Sequence, residues 1–201
     1  MKKVVIGLLL VLMLLIASNV HREQNIQQGI SEKILRFHVL ANSDSDEDQE
    51  VKIKVRDGVG VYVEELLAQS DSRKETEHIL NDNMDEIIDR ANEILNENGM
   101  KYQATARIAK VEFPDKTYGR YTFPAGSYRA LQIKLGKAAG HNWWCVLYPN
   151  LCFRGTMYEE VDDAADEKLK EVLSAEEYKD IIDSGEFEIK FKFLEYLSFT
   201  R

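Results

Sequence analysis

Leu35, Phe37, Val39 and Ala41 alternate with Arg36, His38 and Asn42, and this period of two predicts a half-buried strand. Asn42-Ser43-Asp44-Ser45 ends it, because short polar side chains compete for backbone hydrogen bonds. Ser45 stands three residues before Asp48, the spacing of a helix N-cap. Val51, Val55, Val59, Tyr62, Val63 and Leu66 then recur every three or four residues and predict a buried helical stripe as far as about Ala68. Asp48, Lys52 and Arg56 follow at four-residue steps, which places them on a polar, solvated face. Ser72 with Glu75 opens a second helical stretch whose apolar spacing runs from Ile79 to Leu95. Asn81-Asp82-Asn83 offers a point to split it, and Asn98-Gly99 a stop.

Further along, strands are predicted over Tyr102–Phe113, ended by Pro114, and over Tyr128–Leu135. Lys116–Ser127 reads as a loop, Gly136–Gly140 as a turn, and Asn142–Phe153 as a strand or hairpin. Asp162–Leu173 and Ala175–Asp183 have helical spacing. Glu186–Leu197 alternates through Phe187, Ile189, Phe191 and Phe193 and predicts a final strand. The order gives an α+β fold, a mostly antiparallel sheet with helices packed on one face.

Lys2-Lys3 followed by the apolar run Val4–Ala17 changes the picture of where the domain works. A basic start and a short apolar run fit a signal peptide, with an uncleaved signal anchor as the alternative. Residues 1–18 are thus assigned to export, 19–32 to a linker or short helix, and 33–201 to one domain. The formal net charge of −9 argues against nucleic acid and against electrostatic adsorption to anionic lipid.

Candidate chemistry is sparse. Asp44, Asp46 and Asp48 alternate like the start of a calcium loop, but Gln49 and Val55 occupy the positions that need Gly and a bidentate Glu. They fit better as acids at the positive end of a helix dipole. His21, His38, His78 and His141 show no metal-ligand spacing. Neither metal nor cofactor is expected. Cys145 and Cys152, in an exported chain, predict a disulfide. Two buried thiols, or a nucleophilic Cys145 activated by His141, are the alternatives. Trp143-Trp144 puts one indole on each face of a strand. With Tyr118, Tyr121, Phe123 and Pro124, the outer one forms either an exposed aromatic patch or a second small core.

Two blocks of sequence resemble a known family. His38-Val39-Leu40-Ala41-Asn42-Ser43-Asp44-Ser45, with Glu47-Asp48-Gln49, Lys52 and Val55-Arg56-Asp57, is similar to the opening motif of the stage II sporulation protein R family. Asn142-Trp143-Trp144-Cys145-Val146-Leu147, with Pro149 and Leu151-Cys152-Phe153, is similar to its second signature. Tyr118-Gly119 and Phe123-Pro124-Ala125-Gly126 lie between them as expected. The resemblance implies a secreted, non-enzymatic signal of endospore formation, acting in the space between the forespore and mother-cell membranes. Its implied partner is a membrane-embedded aspartic protease that matures a mother-cell sigma factor precursor, pro-sigma-E. Membrane proximity follows, and no small-molecule substrate is expected. The predicted contact surface comprises His38, Asn42, Asp44, Asp48, Gln49, Lys52, Arg56, Tyr118, Asn142, Trp143 and Trp144. The competing reading is a secreted hydrolase acting on the cell wall, which a peptidoglycan-hydrolysis assay would separate.

Overall fold

The computed structural model describes residues 2–149, 151 and 163–186. Helix α1 (Lys2–Lys33) leads into β1 (Leu35–Leu40), followed by α2 (Asp46–Leu67), α3 (Arg73–Asp82) and α4 (Met84–Glu97). Strands β2 (Ala104–Phe113), β3 (Lys116–Tyr118), β4 (Tyr121–Phe123), β5 (Gly126–Leu135) and β6 (Asn142–Tyr148) come next, then α5 (Asp163–Val172) and α6 (Ala175–Glu186). The class is α+β. The strand predicted over Glu186–Leu197 and the second arm of the Asn142–Phe153 hairpin lie largely outside the described residues.

The main sheet has the order β2-β5-β1-β6. β5 runs antiparallel to β2 and parallel to β1, while β6 runs antiparallel to β1. β1 is therefore central, and both its faces are covered. On one face Phe37, Leu131, Ile133 and Trp143 meet α2, α3 and α4: Arg56 of α2 lies over Trp143, and Glu77 of α3 pairs with Arg129 of β5. Phe37, Leu131 and Ile133 are fully buried, each contributing roughly 2 kcal/mol of transfer free energy. Gly58 of α2 lets α4 approach, since a Cβ there would lie 2.5 Å from Ile94 Cδ1.

The stretch 116–127, predicted as a loop, contains the β3–β4 hairpin, which packs Tyr118, Tyr121 and Phe123 into the other face. α6 backs that hairpin, and α1 lies against β5 and α6. Segment 19–32 is the continuation of α1, and Ile26 and Ile30 are buried in the core.

Local signals explain the ends. Ser45 caps α2, its Oγ accepting from Asp48 N–H at 3.3 Å, and Asp46, Glu47 and Asp48 fill the first turn. Ser72 caps α3 by accepting from Glu75 N–H at 3.2 Å. Asn83 separates α3 from α4, and Gly99 turns the chain at φ +75°.

Candidate functional site

The turn after β1 is tied to the loop between β5 and β6. The carbonyls of Ala41 and Asn42 accept from Gly140 and Ala139 N–H at 3.0 and 3.2 Å. Asn42 Oδ1 accepts from Lys137 N–H at 2.9 Å, while its Nδ2 donates to Asp48 Oδ2 at 2.9 Å. Asp44 Oδ1 accepts from His141 N–H at 2.6 Å and pairs with the His141 ring. Gly140 is required for this closeness, because a Cβ there would sit 2.1 Å from the Ser43 carbonyl oxygen.

Asp48 is the centre of this knot. It is 6% exposed and accepts from Asn42, Ser43 and Tyr102. Burial opposes its charge, but the hydrogen bonds from Ser43, Tyr102 and Asn42 outweigh that, so its pKa lies below the ordinary carboxylate value. Burial, with help from Asp48, raises the Tyr102 pKa.

Lys52 and Arg56, expected on a solvated face, are buried at 6% and 9% exposure. Lys52 Nζ donates to Gln49 Oε1 at 2.6 Å and to the His141 carbonyl at 3.2 Å. Its pKa is lowered by burial and by nearby Arg56. Arg56 spreads over Trp143 at 5.3 Å and pairs with Asp57. The correction has a simple cause. The β5–β6 loop brings Lys52 an acceptor that the helix alone lacks, the His141 carbonyl, and the Trp143 ring of β6 covers Arg56.

His38 is buried on the hairpin face of the sheet. Its Nε2 lies 3.2 Å from Asn142 Oδ1, and Gln132 Nε2 lies 3.2 Å from its Nδ1. This geometry fits the neutral tautomer with the proton on Nε2. Burial lowers its pKa to about 4, against a raising effect of Asn142 and with further lowering from Lys134 and Arg36. Trp144 stacks on the imidazole, centroids 5.8 Å apart and planes 17° from parallel.

Neither tryptophan is fully exposed. Trp143 is buried edge-on against Phe37 at 5.5 Å, and Trp144 is half-buried. Tyr118 is buried too, accepting from Arg36 Nη2 at 3.1 Å and donating to the Trp144 carbonyl at 3.0 Å. Thus Tyr118, Tyr121 and Phe123 belong to the core and not to an exposed patch, and of the predicted contact residues only Asn42, Asp44, Gln49, Asn142 and part of Trp144 reach solvent.

Two groups escape the sequence reading. Arg36 is fully buried, its guanidinium 4.4 Å from the Phe113 ring centroid and 5.0 Å from that of Tyr128, with Nε donating to the Cys145 carbonyl at 3.1 Å. The concentration of Tyr and Phe in and beside the 116–127 stretch is the available signal for such a cage. Asp166 of α5 accepts from Tyr121, Tyr178, Lys170 and Arg120 and binds α5 and α6 to the hairpin. Burial opposes its charge and these donors outweigh it, so its pKa is lowered.

Cys145 lies on β6 facing the α2 side, but Cys152 falls outside the described residues, as does the geometry of any bridge between them. Among the described residues no group of three or more His, Cys, Asp or Glu could hold a metal ion.

A family model described as stage II sporulation protein R matches residues 31–158. The chain is 32% identical to the stage II sporulation protein R of Bacillus subtilis (strain 168), over 98% of each chain. No solved structure matches it.

Proposed function

The chain belongs to the stage II sporulation protein R family, hence to sporulation, and we propose that it serves there as a secreted signal rather than an enzyme. In this reading it leaves the forespore, acts in the space between the two membranes, and switches on a membrane-embedded aspartic protease that processes pro-sigma-E in the mother cell. Besides the family, the observation that supports it is α1. Its apolar residues Val4–Ile16 are exposed, and the helix is long and apolar enough to cross a bilayer. The same helix ends in the core of the domain through Ile26 and Ile30. A signal sequence or a membrane anchor are both compatible with it, and either delivers the domain to the outer face of a membrane.

The contact surface in this proposal is the rim where Asn42, Asp44, Gln49 and Asn142 reach solvent beside Trp144. His38, Asp48, Lys52, Arg56, Tyr118 and Trp143 stand behind that rim and hold it. A Cys145–Cys152 bridge belongs to the same proposal, and mass spectrometry without reduction should find the chain two hydrogens light.

The test is reconstitution in a non-sporulating bacterium that makes the protease and the sigma factor precursor. The precursor should shorten when the full chain is co-expressed, and remain intact when residues 1–20 are deleted. Processing that is independent of the chain, or that occurs equally with the helix removed, overturns the reading.

A further inference from the structure

Among the described residues, the hairpin face of the main sheet is covered only in part. The hairpin and the Arg36 cage occupy the end where β1 begins. Toward Leu40 the same face carries Arg107 of β2, Lys134 of β5, and Asn142 and Trp144 of β6, in register across the sheet. Lys116 of β3 joins them, its Nζ 4.9 Å from the Trp144 ring centroid. Arg107 and Asn142 are exposed, while Lys134, Lys116 and Trp144 are half-buried. Thr105, Arg107, Gln132 and Lys134 line a groove of about 170 Å³.

The charges on this face are one-sided. Among the described residues, Arg107, Lys116 and Lys134 form no ion pair with a carboxylate. Among the described residues these three side chains make one polar contact, a long one, Arg107 Nη2 to Gln132 Oε1 at 3.5 Å. This is a chain with 35 Asp and Glu against 26 Lys and Arg, so three neighbouring cations without an acid stand out from the rest of its surface.

We propose that this open half of the sheet binds an acidic peptide segment of the protein that receives the signal, its carboxylates pairing with Arg107, Lys134 and Lys116 beside Trp144 and Asn142. The inference rests on the signalling reading and adds the chemistry of the partner. Surplus donors and positive charge call for an acceptor-rich anion. The groove is below the range of about 300 Å³ and upward typical of small-molecule pockets, and holds a side chain of a few atoms. A peptide suits it better than anionic lipid, because α1 enters at the Leu35 end of β1. Leu40 lies roughly 17 Å further along at the usual strand rise.

Fluorescently labelled hexaglutamate, titrated against the full chain in phosphatidylcholine nanodiscs, tests the proposal by anisotropy. Hexaglutamate should bind, more weakly as salt rises. The affinity should fall about tenfold or more in Arg107→Glu/Lys134→Glu, and clearly in the milder Arg107→Gln/Lys134→Gln. Lys74→Glu, a single reversal of an exposed residue on α3, should change it little. Absence of binding, an equal loss in Lys74→Glu, or capture of phosphatidylglycerol vesicles by these residues in place of hexaglutamate would overturn it. If hexaglutamate fails to bind while the chain still triggers precursor processing, this surface is wrong and the signalling reading stands. If it binds as expected but no precursor is processed, the surface holds and only the signalling reading falls.

Discussion

Replacing Asp48 separates a buried knot from an ordinary helix N-terminus. An exposed acid in a first turn contributes about 0.3–1 kcal/mol. Asp48 instead receives two donors on Oδ2, from Asn42 and Ser43, and one on Oδ1, from Tyr102. In Asp48→Asn the amide oxygen can keep the Oδ2 donors while the new NH₂ faces the Tyr102 hydroxyl. Charge-assisted hydrogen bonds become neutral ones, at a cost of roughly 1 kcal/mol each, so about 2–3 kcal/mol in all. Asp48→Ala leaves the donors unsatisfied and should cost about 4 kcal/mol. For a domain of this size each kcal/mol shifts Tm by about 2–4 °C, so Asp48→Asn should lower it by roughly 5–10 °C in a calorimetric scan at pH 7. The pH dependence has a definite sign. The folded pKa is depressed, so the stabilisation is present above the unfolded carboxylate pKa of about 4 and disappears as pH falls through the folded value. The gap between wild type and Asp48→Asn should therefore close in acid. A fall in Tm of no more than about 4 °C, all that an exposed first-turn acid accounts for, would refute the knot.

His38 makes the same demand on pH, in a window that opens at higher pH. With its folded pKa at about 4 and an unfolded value near 6.5, the unfolded chain binds the extra proton in between, so stability falls as pH drops through that window, by roughly 3 kcal/mol in full. Denaturant titrations at pH 7 and pH 4.5 should show that fall in the wild type and a smaller one in His38→Gln. Trp143→Ala empties a buried site against Phe37 and Arg56 and should cost about 3–5 kcal/mol. Trp144→Ala should melt within a few degrees of wild type yet fail in the processing assay. Asp166→Ala should loosen α5 and α6 from the hairpin, at about 3–5 kcal/mol, seen as faster amide exchange in 163–186 than in β1.

The elements with a local cause were legible in the sequence. β1 announces itself by alternation, α2 by the Ser45 cap and the valine stripe, and the break at Asn83 by its neighbours. What the sequence hides is set by distant partners. Lys52 looks like a surface lysine until a carbonyl 89 residues away comes to meet it. Arg36 looks outward-facing because alternation cannot tell a central strand covered on both sides from one covered on one. The hairpin was missed because its strands have three residues each, too few to establish a period. The two signature blocks pointed to a real meeting place, since β1 and β6 are neighbours and their loops interlock. The sequence does not reveal that much of their polar content faces inward, holding a rim rather than forming it.

The central place of β1 bears on when the chain can fold. β1 leaves the ribosome early, but its neighbours follow much later: Gln132, the contact of His38 on β5, is 94 residues on, and Asn142, its contact on β6, is 104. At roughly 5–20 residues per second, synthesis alone separates them by about 5–20 s. Until then the middle of the sheet has no partner, and non-local pairing of this kind is slow to nucleate. A chain threaded through a membrane from its N-terminus must stay unfolded while it passes. If the chain is exported as proposed, the strand that enters first is the one that cannot settle until the last has followed, so the topology itself would delay folding until the sheet has crossed. Chains cut before Asn142 should accordingly remain protease-sensitive, however long they are left.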